Sequence, residues 1–280
     1  MELFTRNSRE VKLTAAGQAL LEDAPTALMA LQRAAERARL AGAGLTGTVR
    51  LGFPPPASFE TLGAILAAVE SDTPNMTVIP SELFSAEIPS RVLGGELDVG
   101  LALHPEPMTG VCSEALRIEP LAALLSKHHP LAKANPISLA NLEHETLLLF
   151  PRELAPAYYD RIMSACEGAG FEPQVQAFKK PSVHASLARL VGAHEVGLMP
   201  ASFAVHIAEA EPGIVARAIV NPAIPTELSI VWPVRLHSET IARFLDSARR
   251  CASDNDWLPQ GAARPKGSLH GMSAARPSNA

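Results

Sequence analysis

The chain has 280 residues, 47% of them apolar and 19% charged, with a formal net charge of −5. This composition fits a globular protein with a sizeable core in one or two domains, and it excludes a general polyanion binder. No apolar run is long enough to span a bilayer and no signal segment opens the chain, so no membrane partner is expected.

Before Thr14 there is no helical pattern. Residues 3–6 and 11–14 read as short extended pieces around a polar Asn7-Ser8-Arg9-Glu10 turn. Such a hairpin is marginal by itself. Residues 14–40 then read as one helix, with Thr14 as its candidate N-cap. Leu21, Leu28, Leu31, Ala35 and Ala38 fall on one face at spacings of three, four and seven. Pro25 is expected to kink the helix, and Gly42 and Gly44 to end it. A helix this long, placed before any core, needs a surface for its stripe. A partner chain is one candidate.

From Thr48 strands and helices alternate. Residues 49–53 read as a strand, and Ser58 as the cap of a helix that buries Leu62, Ile65, Leu66 and Val69. Residues 76–83 read as a second strand, which Pro80 marks as an edge or a bulge. Ser85 is read as the cap of a short helix that stops at Gly94-Gly95. Residues 97–103 are nearly all apolar, as a strand covered on both faces requires. The unit is βαβαβ, hence a doubly wound sheet.

The rhythm then repeats. Strands are expected at 121–126, 146–150, 175–178, 196–199 and 214–220, and helices at 156–168 and 182–193. A last strand at 228–232 and a helix at 238–251 return to the first unit. Residues 253–280 hold little to bury and are expected to be disordered. The fold class is therefore α/β with two lobes, and ligands of such folds bind between the lobes at the carboxyl ends of the strands.

Few residues carry chemistry. Ser58 and Ser85 each open a helix after a strand, where unpaired N–H groups and a partial positive charge suit a carboxylate; they are also ordinary caps. Tyr158 is placed to stack on a ligand or simply to pack. Arg152 has the geometry to grip an acid bidentately, or to sit on the surface. His128-His129 lacks a third metal ligand at useful spacing. Cys112, Cys166 and Cys251 show no paired spacing and read as reduced cytosolic thiols. No nucleotide, hydrolase or metalloprotease motif is present, so no catalysis, metal or cofactor is expected.

Several stretches together carry a family resemblance: LFTRNSREVKLTAAGQALL at the start, GGELDVGL at Gly94 to Leu101, HHPLA at His128 to Ala132, PISLANL, LLLFPR at Leu147 to Arg152, and VGLMP at Val196 to Pro200. In this order and spacing the chain resembles a LysR-type transcriptional regulator from about Glu2 to Ala252. Residues 150–190 look closest to members that sense muconate-like or aromatic-derived acids.

The resemblance implies a type 2 periplasmic-binding-protein-like effector domain over 45–252. Its first lobe would be 45–120 with 226–252, and its second lobe 121–225. Residues 1–13 resemble the wing of a winged helix-turn-helix, and 14–44 the linker helix that pairs two subunits. On this reading Arg6, Arg9 and Lys12 touch the DNA backbone, and Leu21, Leu28, Leu31 and Ala35 pack against a second copy in a dimer or tetramer. Pro56, Ala57, Ser58 and Ser85 form one wall of a small-organic-acid site, and Arg152, Pro156, Ala157 and Tyr158 the other. Pro54-Pro55-Pro56 departs from the family's small polar segment and removes N–H donors. His194 stands where the family has a glycine, a costly place if φ is positive. The helix-turn-helix itself is missing, which leaves two expectations: an internal start codon in a complete promoter-binding regulator, or a truncated sensor that titrates full-length partners. An enzyme or an extracytoplasmic transport receptor on the same fold ranks below both.

Overall fold

The computed structural model describes residues 1–6, 10–42, 47–177, 183–192, 194–235 and 238–259. It opens with β1 (Phe4–Arg6) and β2 (Val11–Leu13), paired antiparallel. Helix α1 (Ala15–Gly42) follows and runs unbroken past Pro25. Thr14 caps it, accepting the Gly17 N–H at 3.0 Å, and its hydroxyl donates to the Glu2 carbonyl at 2.8 Å. One side chain thus joins hairpin to helix.

The first α/β unit is β3 (Thr48–Phe53), α2 (Glu60–Asp72), β4 (Thr77–Glu82), α3 (Ile88–Gly94) and β5 (Val99–Leu103). Strand β3 lies between β4 and β5, parallel to both. Strand β4 is the edge, so Pro80 interrupts no inner ladder. Helix α3 lies so close to the sheet that a Cβ on Gly100 would run into the Ile88 side chain. Arg50 grips Asp98 with Nε and Nη2, each at 2.9 Å, fixing the turn ahead of β5 against β3.

The chain continues through β6 (Val111–Ser126), β7 (Ile137–Ser138), β8 (Thr146–Leu149), α4 (Pro156–Gly168), β9 (Gln174–Ala177) and α5 (Val183–Gly192). It closes with β10 (Val196–Pro200), α6 (Ala201–Ala210), β11 (Ile214–Val220), β12 (Pro225–Pro233) and α7 (Glu239–Asp254). The strands form one mixed sheet in the order β4-β3-β5-β12-β6-β10-β8-β9, with β11 on β6. Strand β6 unites the two halves: residues 111–120 pair with β12, and 121–126 with β10 and β11. The core is continuous across this strand, with Leu116, Leu121 and Leu125 buried beside Leu51 and Ile65 of the first half.

The structure corrects four expectations. The strand expected at 121–126 begins ten positions earlier, at Val111. Helix α6 was not foreseen, although Phe203, Ala204 and Ile207 form its buried stripe. His194 does not take the left-handed backbone; among described residues the non-glycine positions with positive φ are His104, Asn221 and Asp256. Order also outlasts residue 253. Trp257 is buried, its N–H reaches the Ala252 carbonyl at 3.0 Å, and its carbonyl accepts the Ile118 N–H at 2.8 Å. Residues 260–280 lie outside the described residues.

Candidate functional site

A cavity of about 200 Å³ opens between the two halves. Pro54, Pro55 and Pro56 after β3, Phe84 and Ser85 after β4, and Leu103 at the end of β5 form one wall. Leu149 at the end of β8, Phe150 after it, Ala155 and Tyr158 at α4, Met199 and Pro200 in β10, and Phe203 of α6 form the other. Parallel strands deliver their carboxyl ends to one crevice because each must turn there into the connection that follows.

Of the residues expected at a site, Pro56, Ser85 and Tyr158 line this cavity. Ala57, Ser58, Pro156 and Ala157 adjoin lining residues without lining it. Neither serine caps a helix. Helix α2 starts at Glu60 after Phe59, and the Ser58 hydroxyl turns back to the Pro55 carbonyl. Helix α3 starts at Ile88 after Glu87, and Ser85 Oγ accepts the Leu103 N–H at 3.0 Å. Ser58 satisfies local backbone, as short polar side chains do, and Ser85 ties its segment to β5.

Arg152 is likewise displaced. It is exposed, and its Nε and Nη2 lie 2.7 and 2.6 Å from the Asp160 carboxylate, which holds that carboxyl below its ordinary range. From the turn before α4 it grips Asp160 of that helix, and it does not line the cavity. Tyr158 is buried, stacked 5.3 Å from Phe150 and 6.0 Å from the His104 ring. Burial, reinforced by the Glu119 charge, pushes its phenol far up. Its Oη and the Thr226 Oγ1 are both buried and near each other, without meeting hydrogen-bond geometry.

Three contacts tie the halves across the cleft. The Ala86 N–H donates to the Leu154 carbonyl at 3.0 Å. Phe59, ahead of α2, stacks 3.9 Å from the His206 ring on α6. Glu119 of β6 accepts the Ser202 N–H at 2.7 Å and the Ser202 hydroxyl at 2.9 Å, occupying the first turn of α6. Arg117 holds Glu119 at 3.2 Å, donates to Thr61 Oγ1 at 3.0 Å, and lies 5.1 Å from the Trp257 ring. Sequence reading missed this cluster because it assigned neither residues 111–120 nor α6. The alternation of buried and exposed positions in β6 is irregular, but Pro200 followed by an apolar stripe was a usable helix signal.

The His128-His129 pair has a structural role. His129 is buried; Nδ1 accepts the Leu131 N–H at 3.2 Å, so Nε2 bears the proton that faces the His194 carbonyl at 3.1 Å and Glu145 at 3.3 Å. No group that would hold a metal ion occurs among the described residues.

Two α/β lobes joined by a shared strand, with a small-molecule-sized cleft between, define a sensing domain of the type 2 periplasmic-binding-protein-like class. The LysR substrate binding domain matches residues 42–252, and the chain belongs to the LysR family of transcription regulators. Relatives include TfdS of Cupriavidus pinatubonensis, 28% identical over 248 residues, covering 89% of this chain and 83% of that protein. TcbR of a Pseudomonas species is 27% identical over 252 residues, covering 90% and 84%. Both are named transcriptional regulators, not enzymes. Among solved structures, the LysR-family regulator CbnR superposes with a TM-score of 0.68 at 26% identity over 86% of this chain and 82% of that one. CbnR is also known in complex with its target DNA.

Proposed function

We propose that this chain is the sensing and dimerising part of a cytoplasmic regulator, with 45–252 as its effector-binding domain. A small organic molecule binds in the interlobe cleft, and the resulting change in lobe geometry alters promoter binding and transcription. The cleft lined from both lobes carries the reading: a ligand touching both walls stabilises one relative placement, as differential affinity requires. For the expected organic acid, helix α4 opens beside the cleft with no acidic residue in its first turn.

The two ends of the chain take separate roles in this proposal. Helix α1 is the subunit contact: Leu21, Leu28 and Leu31 are 53, 57 and 67% exposed, and Ala35 is exposed as well. Strands β1 and β2 form a wing against promoter DNA. Lys12 is exposed there and paired with Glu10 at 2.9 Å, while Arg9 and the Arg6 side chain fall outside what is described.

The test fills the cleft. Ala155→Phe should leave the melting temperature within a few degrees and the oligomer intact, yet abolish ligand-dependent change in reporter expression in the native host. Unaltered ligand response would overturn the proposal.

A further inference from the structure

We infer that Trp257 is a positioning residue for the interlobe cleft: through Arg117 and Glu119 it sets the first turn of α6, and with it Phe203 in the cleft wall. This rests on the cleft being the effector site.

The chain turns back on itself after α7. Asp256 takes the left-handed backbone with φ of 52°, which Asp tolerates better than most residues. The Trp257 N–H then reaches the Ala252 carbonyl at 3.0 Å, and the Asp256 N–H the Ser253 carbonyl at 3.3 Å. This closes the helix end and sends the indole into the core, where Trp257 is 6% exposed. The Trp257 carbonyl accepts the Ile118 N–H of β6 at 2.8 Å. Ile118 stands two positions before Pro120, where β6 passes from pairing with β12 to pairing with β10.

The Arg117 guanidinium carbon lies 5.1 Å from the centre of the indole. Its nitrogens reach Thr61 Oγ1 at 3.0 Å, the Glu60 carboxylate at 3.2 Å and the Glu119 carboxylate at 3.2 Å. A planar guanidinium bonded along its edges and covered on a face by an aromatic ring has its orientation fixed. Glu119 is thereby held where it accepts the Ser202 N–H and hydroxyl in the opposite lobe. Phe203, the next residue of α6, lines the cavity. Four side chains thus connect the turn after the last helix to the far wall of the cleft.

The experiment is amide hydrogen exchange of the full chain, followed at Ser202 by NMR. Ser202 sits in the first turn of α6, whose N–H groups have no partner inside the helix, so its exchange reads the Glu119 contact directly. Trp257→Ala should speed it about tenfold while amides of β8 and α4, in the same lobe, exchange as before. Trp257→Phe keeps an aromatic face and should give a smaller rise; it carries the test if Trp257→Ala does not fold. In Glu119→Ala, where the connection is already cut, the Trp257 substitution should add nothing at Ser202. The native-host reporter used for Ala155→Phe should lose most of its response in Trp257→Ala. Uniform acceleration across the second lobe, no change at Ser202, or additive effects with Glu119→Ala would overturn the inference while leaving the cleft as effector site. A full reporter response would also overturn it, and the Ala155→Phe result decides separately whether the cleft senses anything.

Discussion

His104 shows how much a single residue at the lobe junction controls. It follows β5 with φ of 44°, and its Nε2 accepts the Glu227 N–H at 3.0 Å. Burial, then the nearby Arg161 charge, lowers its pKa below the usual 6.5, with Glu227 opposing. The unfolded chain therefore takes up the proton first as pH falls. The neutral imidazole contributes its full stability above about pH 6.5 and loses it as pH drops through the lower folded value. The urea midpoint should fall between about pH 7 and pH 5, and His104→Gln should flatten that dependence. Tyr158 offers a second test. Its buried Oη has no partner at bonding geometry, so Tyr158→Phe should leave stability unchanged or raise it by about 1 kcal/mol in denaturant titration. A loss beyond about 1 kcal/mol would show that the hydroxyl is bonded.

At the scale of elements, stability at the junction rests on Glu119. Its carboxylate serves α6 and Arg117 together, with 15% of the side chain exposed, and Arg117 is only 10% exposed. Glu119→Ala strands a half-compensated guanidinium and two donors of Ser202. It should cost about 3 kcal/mol, and Glu119→Gln clearly less, measured by chemical denaturation. Elements with strong periodicity were legible from sequence alone. Helix α4 falls at the expected residues because Tyr158, Ile162 and Cys166 recur at four-residue steps and are all buried. Strand β5 is buried at every position, as its unbroken apolar run implied. The first part of β6 was not legible. It pairs antiparallel with β12 through a bulge inside the first lobe, and its burial follows neither the alternation of a surface strand nor the continuity of an inner one.

At the scale of the whole molecule, the proposed assembly rests on the exposed Leu21, Leu28 and Leu31 of α1. Leu21→Glu with Leu28→Glu should convert the oligomer to a monomer in sedimentation equilibrium while the effector lobes keep their melting temperature. The reason is that, among the described residues, α1 contributes no side chain to the core on either side of β6. A dimer that survives both substitutions would place the contact elsewhere.

The sequence by itself determined the α/β class, the strand–helix alternation of the first unit, an edge or bulge at Pro80, the long helix ahead of the core and the family. All of these follow from local periodicity, turn residues and motifs, which read the same in any context. It also picked out Tyr158, Ser85 and Pro56 at the cleft. Only the tertiary structure decided what those side chains do. Ser58 and Ser85 hold backbone rather than cap helices, Arg152 faces Asp160 rather than the cavity, and Glu119 occupies a helix terminus in the opposite lobe. For Ser85 and Glu119 the partner lies 18 and 83 residues away, and nearest-neighbour patterns carry no record of who else arrives; for Ser58 and Arg152 the partner is close in sequence, and the folded backbone decided which neighbour each side chain reaches.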